Sequence, residues 1–172
     1  MKREKILKTF GIFEKILVTL YAQNSKISRR ELATYILIAE HFTETRFIDV
    51  FDIYPDGVES TRINLAVDTL IENGLIYSDF GRLFLTKYGK IEAERVLSSP
   101  EEKTARDFYR LVEYLSSLSH RTRLDLAGYI WFREMGLNVE GFKRTKSIYE
   151  KLEEKFLKRW VREELKTPII TL

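Results

Sequence analysis

Apolar residues recur at three- and four-residue steps over most of this chain, the period of amphipathic helices, and give way to extended runs in two short stretches. Ile6, Leu7, Phe10, Phe13, Leu17 and Leu20 predict a first helix over about 4–24 with one face on a core. Ile27 is a lone extended apolar residue before Ser28-Arg29-Arg30-Glu31. That tetrad is a capping box: the serine oxygen accepts from a free N–H, and Glu31 reaches back to the serine N–H. The helix it opens, to about Phe42, presents Leu32, Tyr35, Ile36 and Ala39, with Leu37 and Ile38 widening the face, so it should be buried on more than one side. Residues 43–54 read as an extended or irregular connection, closed by the turn residues Pro55-Asp56-Gly57.

A third helix is predicted from Glu59 or Ser60, with Ile63, Val67, Leu70 and Ile71 inward and Gly74 as its left-handed stop. Leu75-Ile76-Tyr77 and Leu83-Phe84-Leu85 flank Ser78-Asp79-Phe80-Gly81-Arg82 as a β-hairpin, and Thr86 caps a helix from Lys87 to about Leu97. Ser98-Ser99-Pro100 marks a boundary, with Ser99 as N-cap and Pro100 at the first helical position of the next helix. Beyond it, Ala105 to Leu118, Thr122 to Met135 and about 145–165 read as three helices. The middle one has apolar residues around its cylinder, and Gly136 stops it.

Leu70-Ile71-Glu72-Asn73-Gly74-Leu75-Ile76 resembles the segment that ends the recognition helix in many winged-helix regulators. Leu85-Thr86-Lys87-Tyr88-Gly89-Lys90 resembles their Leu-Thr-x-x-Gly exit from the wing. Phe51-Asp52-Ile53-Tyr54-Pro55-Asp56-Gly57 is similar to the segment leading into that helix in YwgA-like, phage-associated winged-helix proteins, which typically carry Gly-Pro where this chain has Gly57-Val58. A winged helix followed by a helical region also resembles PadR-type regulators, without the Gly-Tyr element of their second helix. The resemblance implies a mainly α fold: a winged helix-turn-helix (three helices plus a β-hairpin wing) at 1–98 and a helical dimerisation or accessory region at 99–172. It also implies a DNA-binding transcriptional regulator acting as a homodimer.

Composition narrows the chemistry. The 172 residues contain no cysteine and two histidines, His41 and His120, so disulfides, thiol chemistry and a structural zinc site are not expected. No phosphate-cradling loop, nucleophile elbow or metal motif is present, so neither an enzyme nor a cofactor is expected. No apolar run approaches the ~18 residues of a membrane span, and the expected location is the cytoplasm. Abundant Lys, Glu, Arg and Ile suit a thermophile. The net charge is +3; residues 1–99 hold 14 basic and 14 acidic side chains, and residues 100–172 hold 15 and 12.

In a winged helix on duplex DNA the third helix lies in the major groove, the second crosses the phosphate backbone and the wing reaches the minor groove. Thr61, Arg62 and Asn64 are then the candidates on the third helix, Arg29 and Arg30 on the second, Arg46 in the loop and Arg82 in the wing. Against them, residues 56–73 carry Asp56, Glu59, Asp68 and Glu72 with Arg62 as the one base. A continuous positive stripe joining Arg29, Arg30, Arg62 and Arg82 favours double-stranded DNA. A broken stripe favours an adaptor or antitoxin-like protein that docks another protein. Phe156, Trp160 and Leu165 on the last helix are the expected dimer contact. Lys143-Arg144-Thr145-Lys146 and the glutamates after it read as a salt-bridged helix face, and Phe80 should stand exposed at the hairpin tip.

Overall fold

The structure, a computed structural model, describes residues 10–24, 26–43, 51–100 and 102–157. It is mainly helical with a small antiparallel sheet. α1 (Ile12–Gln23) begins at Gly11, whose backbone is extended, so among the described residues the first helix starts later than its apolar spacing predicts. Phe10 lies before it and is buried, its ring edge-on to Phe108 at 5.3 Å. Phe13, expected inside, is 42% exposed.

β1 (Ile27–Ser28) leads into α2 (Arg29–Thr43), where Ser28 Oγ accepts the Glu31 N–H at 3.2 Å. α2 is the central element. Its residues from Leu32 to Glu40 are all buried, because α1, α5 and α6 pack around it and a short hairpin covers its first turns. That hairpin, β2 (Asp52–Tyr54) and β3 (Gly57–Glu59), turns at Pro55-Asp56 as expected, and the 43–54 connection is extended over 52–54, residues 44–50 of it lying outside the described residues. Its strand residues Asp52, Ile53 and Tyr54 face outward, so they carry no inside–outside alternation to read. Gly57, at φ +142°, brings the turn so close to α2 that an added Cβ would sit 2.6 Å from the Arg30 carbonyl oxygen. Thr34 Oγ1 accepts the Val58 N–H at 3.1 Å and fixes the hairpin in place.

α3 (Thr61–Glu72) is capped by Ser60 Oγ, which accepts the Ile63 N–H, and buries Ile63, Ala66, Val67 and Leu70 at helical spacing. Gly74 at φ +73° closes it: Leu75 N–H reaches the Leu70 carbonyl and Gly74 N–H the Ile71 carbonyl, the paired bonds of a Schellman stop. β4 (Ile76–Asp79) and β5 (Arg82–Leu85) form the predicted hairpin about Phe80-Gly81, both at positive φ as a two-residue type I′ turn requires. β5 also pairs with β1, giving the strand order β1-β5-β4. α4 (Lys87–Ser98) starts at the Thr86 cap.

α5 (Lys103–Ser116) starts three residues beyond Pro100, with Glu102 at its N-cap position. Ser99 instead donates its N–H to Val96 and ends α4, so Ser99-Pro100 form the link rather than the helix start. α6 (His120–Glu134) is capped by Ser119, and Gly136 at φ +69° follows it. Its buried residues, Leu126 to Ile130, are consecutive and so surround the cylinder over that turn, as its composition predicts, while Leu124 and Trp131 remain half-exposed. α7 (Lys143–Leu152) runs into one wider helical turn, Glu153–Leu157, the last described residues of the helix expected to reach 165. α5 lies on α1 and α2, α6 on α2, and α7 on α6, and one apolar core continues across the 99–100 link.

The first turn of α4 supplies a test of this packing. A Cβ at Gly89 would lie 2.1 Å from the Leu75 carbonyl oxygen, which already accepts the Thr86 N–H. Gly89→Ala is expected to cost about 2 kcal/mol or more through forced backbone movement. Thermal unfolding should then move down by roughly 4–8 °C; an unchanged midpoint would contradict this approach of α4 to the end of α3.

Candidate interaction face

The first turn of α2, the β2–β3 turn, α3 and the β4–β5 hairpin hold the charged residues singled out by the sequence. Their geometry follows from local chemistry. Arg29 and Arg30 open α2 and lean toward the two acidic segments beside it. Arg29 Nη2 meets Asp68 Oδ1 of α3 at 2.6 Å, and its Nη1 donates to the Asn64 carbonyl at 3.3 Å. Arg30 Nη1 meets Asp56 Oδ1 at 2.7 Å and Nη2 meets Glu59 Oε2 at 3.4 Å. The same guanidinium lies 4.0 Å above the centre of the Tyr54 ring. The hydrogen bond from Arg30 holds the Asp56 carboxyl below the usual carboxylate range.

Arg62, the one base on α3, points inward. Its Nη2 lies 2.5 Å from Glu40 Oε1, while Glu40 Oε2 accepts from Lys15 Nζ at 3.0 Å. Glu40 is 1% exposed, so three helices meet at one buried carboxylate. Arg82 does not join this group: its Nη1 donates to the Lys26 carbonyl at 2.9 Å, across the β1 edge. Arg29, Arg30 and Arg62 are each matched to a carboxylate, the first two at the start of α2 and the third at Glu40 near its other end.

Thr61 is exposed and Asn64 half-buried. The outward face of α3 is Thr61, Leu65, Asp68, Thr69 and Glu72, with Leu65 63% exposed. Phe80 at the tip of the β4–β5 hairpin is 99% exposed, as the hairpin predicted. Arg46 lies outside the described residues, as do Trp160 and Leu165 of the expected dimer contact. Phe156 is half-buried against the core of its own chain, with Lys155 Nζ 5.7 Å from its ring centre. The sequence reading missed Glu40 and counted Asp56, Glu59 and Asp68 only as repelling phosphate. A glutamate among buried positions of α2 was the available signal for a buried partner.

A second cluster is buried where α7 meets α2 and α6. Tyr149 stands 2.9 Å from His41 Nε2, and Glu134 Oε1 is 3.6 Å from His41 Nδ1. Burial pushes the Tyr149 hydroxyl up to about 12, so it stays protonated and donates to Nε2. Burial, aided by Arg133, lowers His41 to about 4. Glu134 is half-exposed, so water screens its opposing pull. The cluster joins α7 to α2 and α6.

No family model matches the chain, and no curated protein or solved structure matches it.

The buried histidine has a consequence for stability. Its folded value of about 4 lies below the ordinary 6.5, so between these pH values the unfolded chain binds a proton that the folded chain refuses. Stability should therefore fall on acidification from about pH 6.5 to about pH 4, by up to roughly 3 kcal/mol. Urea unfolding of the parent and of His41→Gln across this range checks it. A parent slope matching that of the variant would contradict a neutral buried His41.

Proposed function

We propose that the chain through α4 is a winged helix and that this module docks a protein through α3 and the wing tip. Chain order supports the first part: α1, β1, α2 and α3 precede a β4–β5 hairpin whose second strand pairs back onto β1. Charge carries the second part, because Arg29, Arg30 and Arg62 already hold carboxylates of the same module. What remains outward on α3 is Leu65 flanked by threonines, Asp68 and Glu72, with Phe80 standing free on the wing. An apolar anchor within a polar surround suits a protein interface. It is a poor match for a polyanion, whose affinity comes from cations released to phosphate. In this reading the chain is a binding module, not a catalyst, and α5–α7 brace α1 and α2 behind the docking face.

A DNA-binding regulator acting as a homodimer is the second reading, favoured by one observation. Arg29 and Arg30 occupy the first turn of α2, where a winged helix meets phosphate, and their pairs with Asp68 and Asp56 lie at the surface. Exposed ion pairs are worth only about 0–1 kcal/mol, so phosphate could displace those carboxylates.

A salt series of binding to mixed-sequence duplex DNA, read by fluorescence anisotropy, separates the two. Protein docking predicts no salt-dependent binding even near ~50 mM salt. It also predicts that a photoreactive residue at position 65 crosslinks a protein from the source cells, and that Phe80→Ser weakens this crosslink. A log–log salt slope worth several phosphates, at ~0.9 each, would overturn the protein reading if it is lost in Arg29→Ala with Arg30→Ala and steepened by Asp68→Asn.

A further inference from the structure

We propose that the groove between the wing and the C-terminal end of α1 binds a small planar aromatic anion. The groove encloses about 840 Å³, within the range of small-ligand sites. It shares no residue with the outward face of α3, so it stands apart from the docking surface.

Aromatic rings line it from two directions. On the wing, Tyr77 and Phe84 are cross-strand partners whose rings stack with centroids 4.7 Å apart and planes 6° apart. From the helices come Tyr21 of α1 and Tyr109 of α5, a tilted pair with centroids 6.3 Å apart. Flat π faces arranged this way take up a flat ring by stacking, whatever its substituents. Core packing does not account for Tyr77, which is 47% exposed although it lines the groove.

Charge sets the sign of the ligand. Lys26 and Lys90 both line the groove and are exposed, and neither has an ion-pair partner among the described residues. Lys26 Nζ lies 5.5 Å from the centre of the Phe84 ring, a cation held beside the stacking platform. The acid bound to this wall is Glu94, whose Oε1 accepts the Tyr21 hydroxyl at 3.2 Å. Two ammonium groups beside four rings match a ligand with one flat ring system and a carboxylate, sulfonate or phosphate at its edge.

The test is fluorescence titration of the full chain with 1-anilinonaphthalene-8-sulfonate at low salt. Saturable binding is expected, weakened about tenfold or more by Lys26→Glu with Lys90→Glu, through loss of two favourable charges and gain of two opposing ones. Both lysines are exposed, so circular dichroism should show that this variant stays folded. Ile53→Thr, in the separate groove of about 460 Å³ between β2 and α6, should leave the titration unchanged. Displacement of the probe by adenosine monophosphate supports a phosphate-bearing ring, and displacement by naphthoate alone supports a carboxylate. Absence of saturable binding, or equal binding by the lysine variant, would overturn the proposal. Neither result depends on whether α3 docks a protein or DNA.

Discussion

A single buried carboxylate ties α1, α2 and α3 to one another. Glu40, deep on α2, accepts Lys15 of α1 through one oxygen and Arg62 of α3 through the other. Taking these charges out of water is costly, and the interaction between them offsets that cost only if both oxygens stay matched. Losing either cation leaves a buried carboxylate short of a partner. The triad therefore adds little by itself to stability, but it penalises any shift of α3 along α2. It does this beside an apolar stripe, Ile63, Ala66, Val67 and Leu70, that would tolerate sliding more easily.

This constraint shapes the surface. Because Arg62 is held by the buried Glu40, the one cation of α3 is engaged, and Asp68 and Glu72 set the sign of its exposed face. Arg29 then reaches across to Asp68, while Arg30 is drawn to Asp56 and Glu59 on the β2–β3 turn. Gly57 lets that turn approach the α2 backbone closely enough for the second set of contacts. The exposed apolar side chains beside these pairs are Leu65 and, at positive φ on the tip of the β4–β5 hairpin, Phe80. Phe80 buries almost none of its surface against its own chain, and that is the property the proposed docking would use.

Helix boundaries were legible wherever a side chain itself supplies the boundary. Ser28, Ser60 and Thr86 each accept a backbone N–H at a helix start, and Gly74 makes the left-handed stop. These are local interactions, spanning a few residues. Of the β2–β3 hairpin the turn residues were legible and the strand pairing was not, because the first strand is exposed throughout and shows no alternation. Ser99-Pro100 carried a start signal, yet the serine N–H was spent on the preceding helix. The candidate site shows the same division more sharply. The arginines were visible as residues, but their partners are distant in sequence: Arg29 to Asp68, Arg62 to Glu40, Lys15 to Glu40. Periodicity places such groups on a face of one helix and says nothing of which charge on another helix they meet.

The most direct measurement is a double-mutant cycle between Glu40 and Arg62, using Glu40→Gln, Arg62→Gln and the pair, with stability read from urea unfolding. If the buried carboxylate orders α3 through Arg62, the two changes should couple by about 1–3 kcal/mol, with the double variant destabilised less than the sum of the singles. Additivity to within about 0.5 kcal/mol would show that Arg62 is not committed to Glu40. The arginine would then be available to an outside partner, and the inward turn that leaves α3 acidic would be wrong.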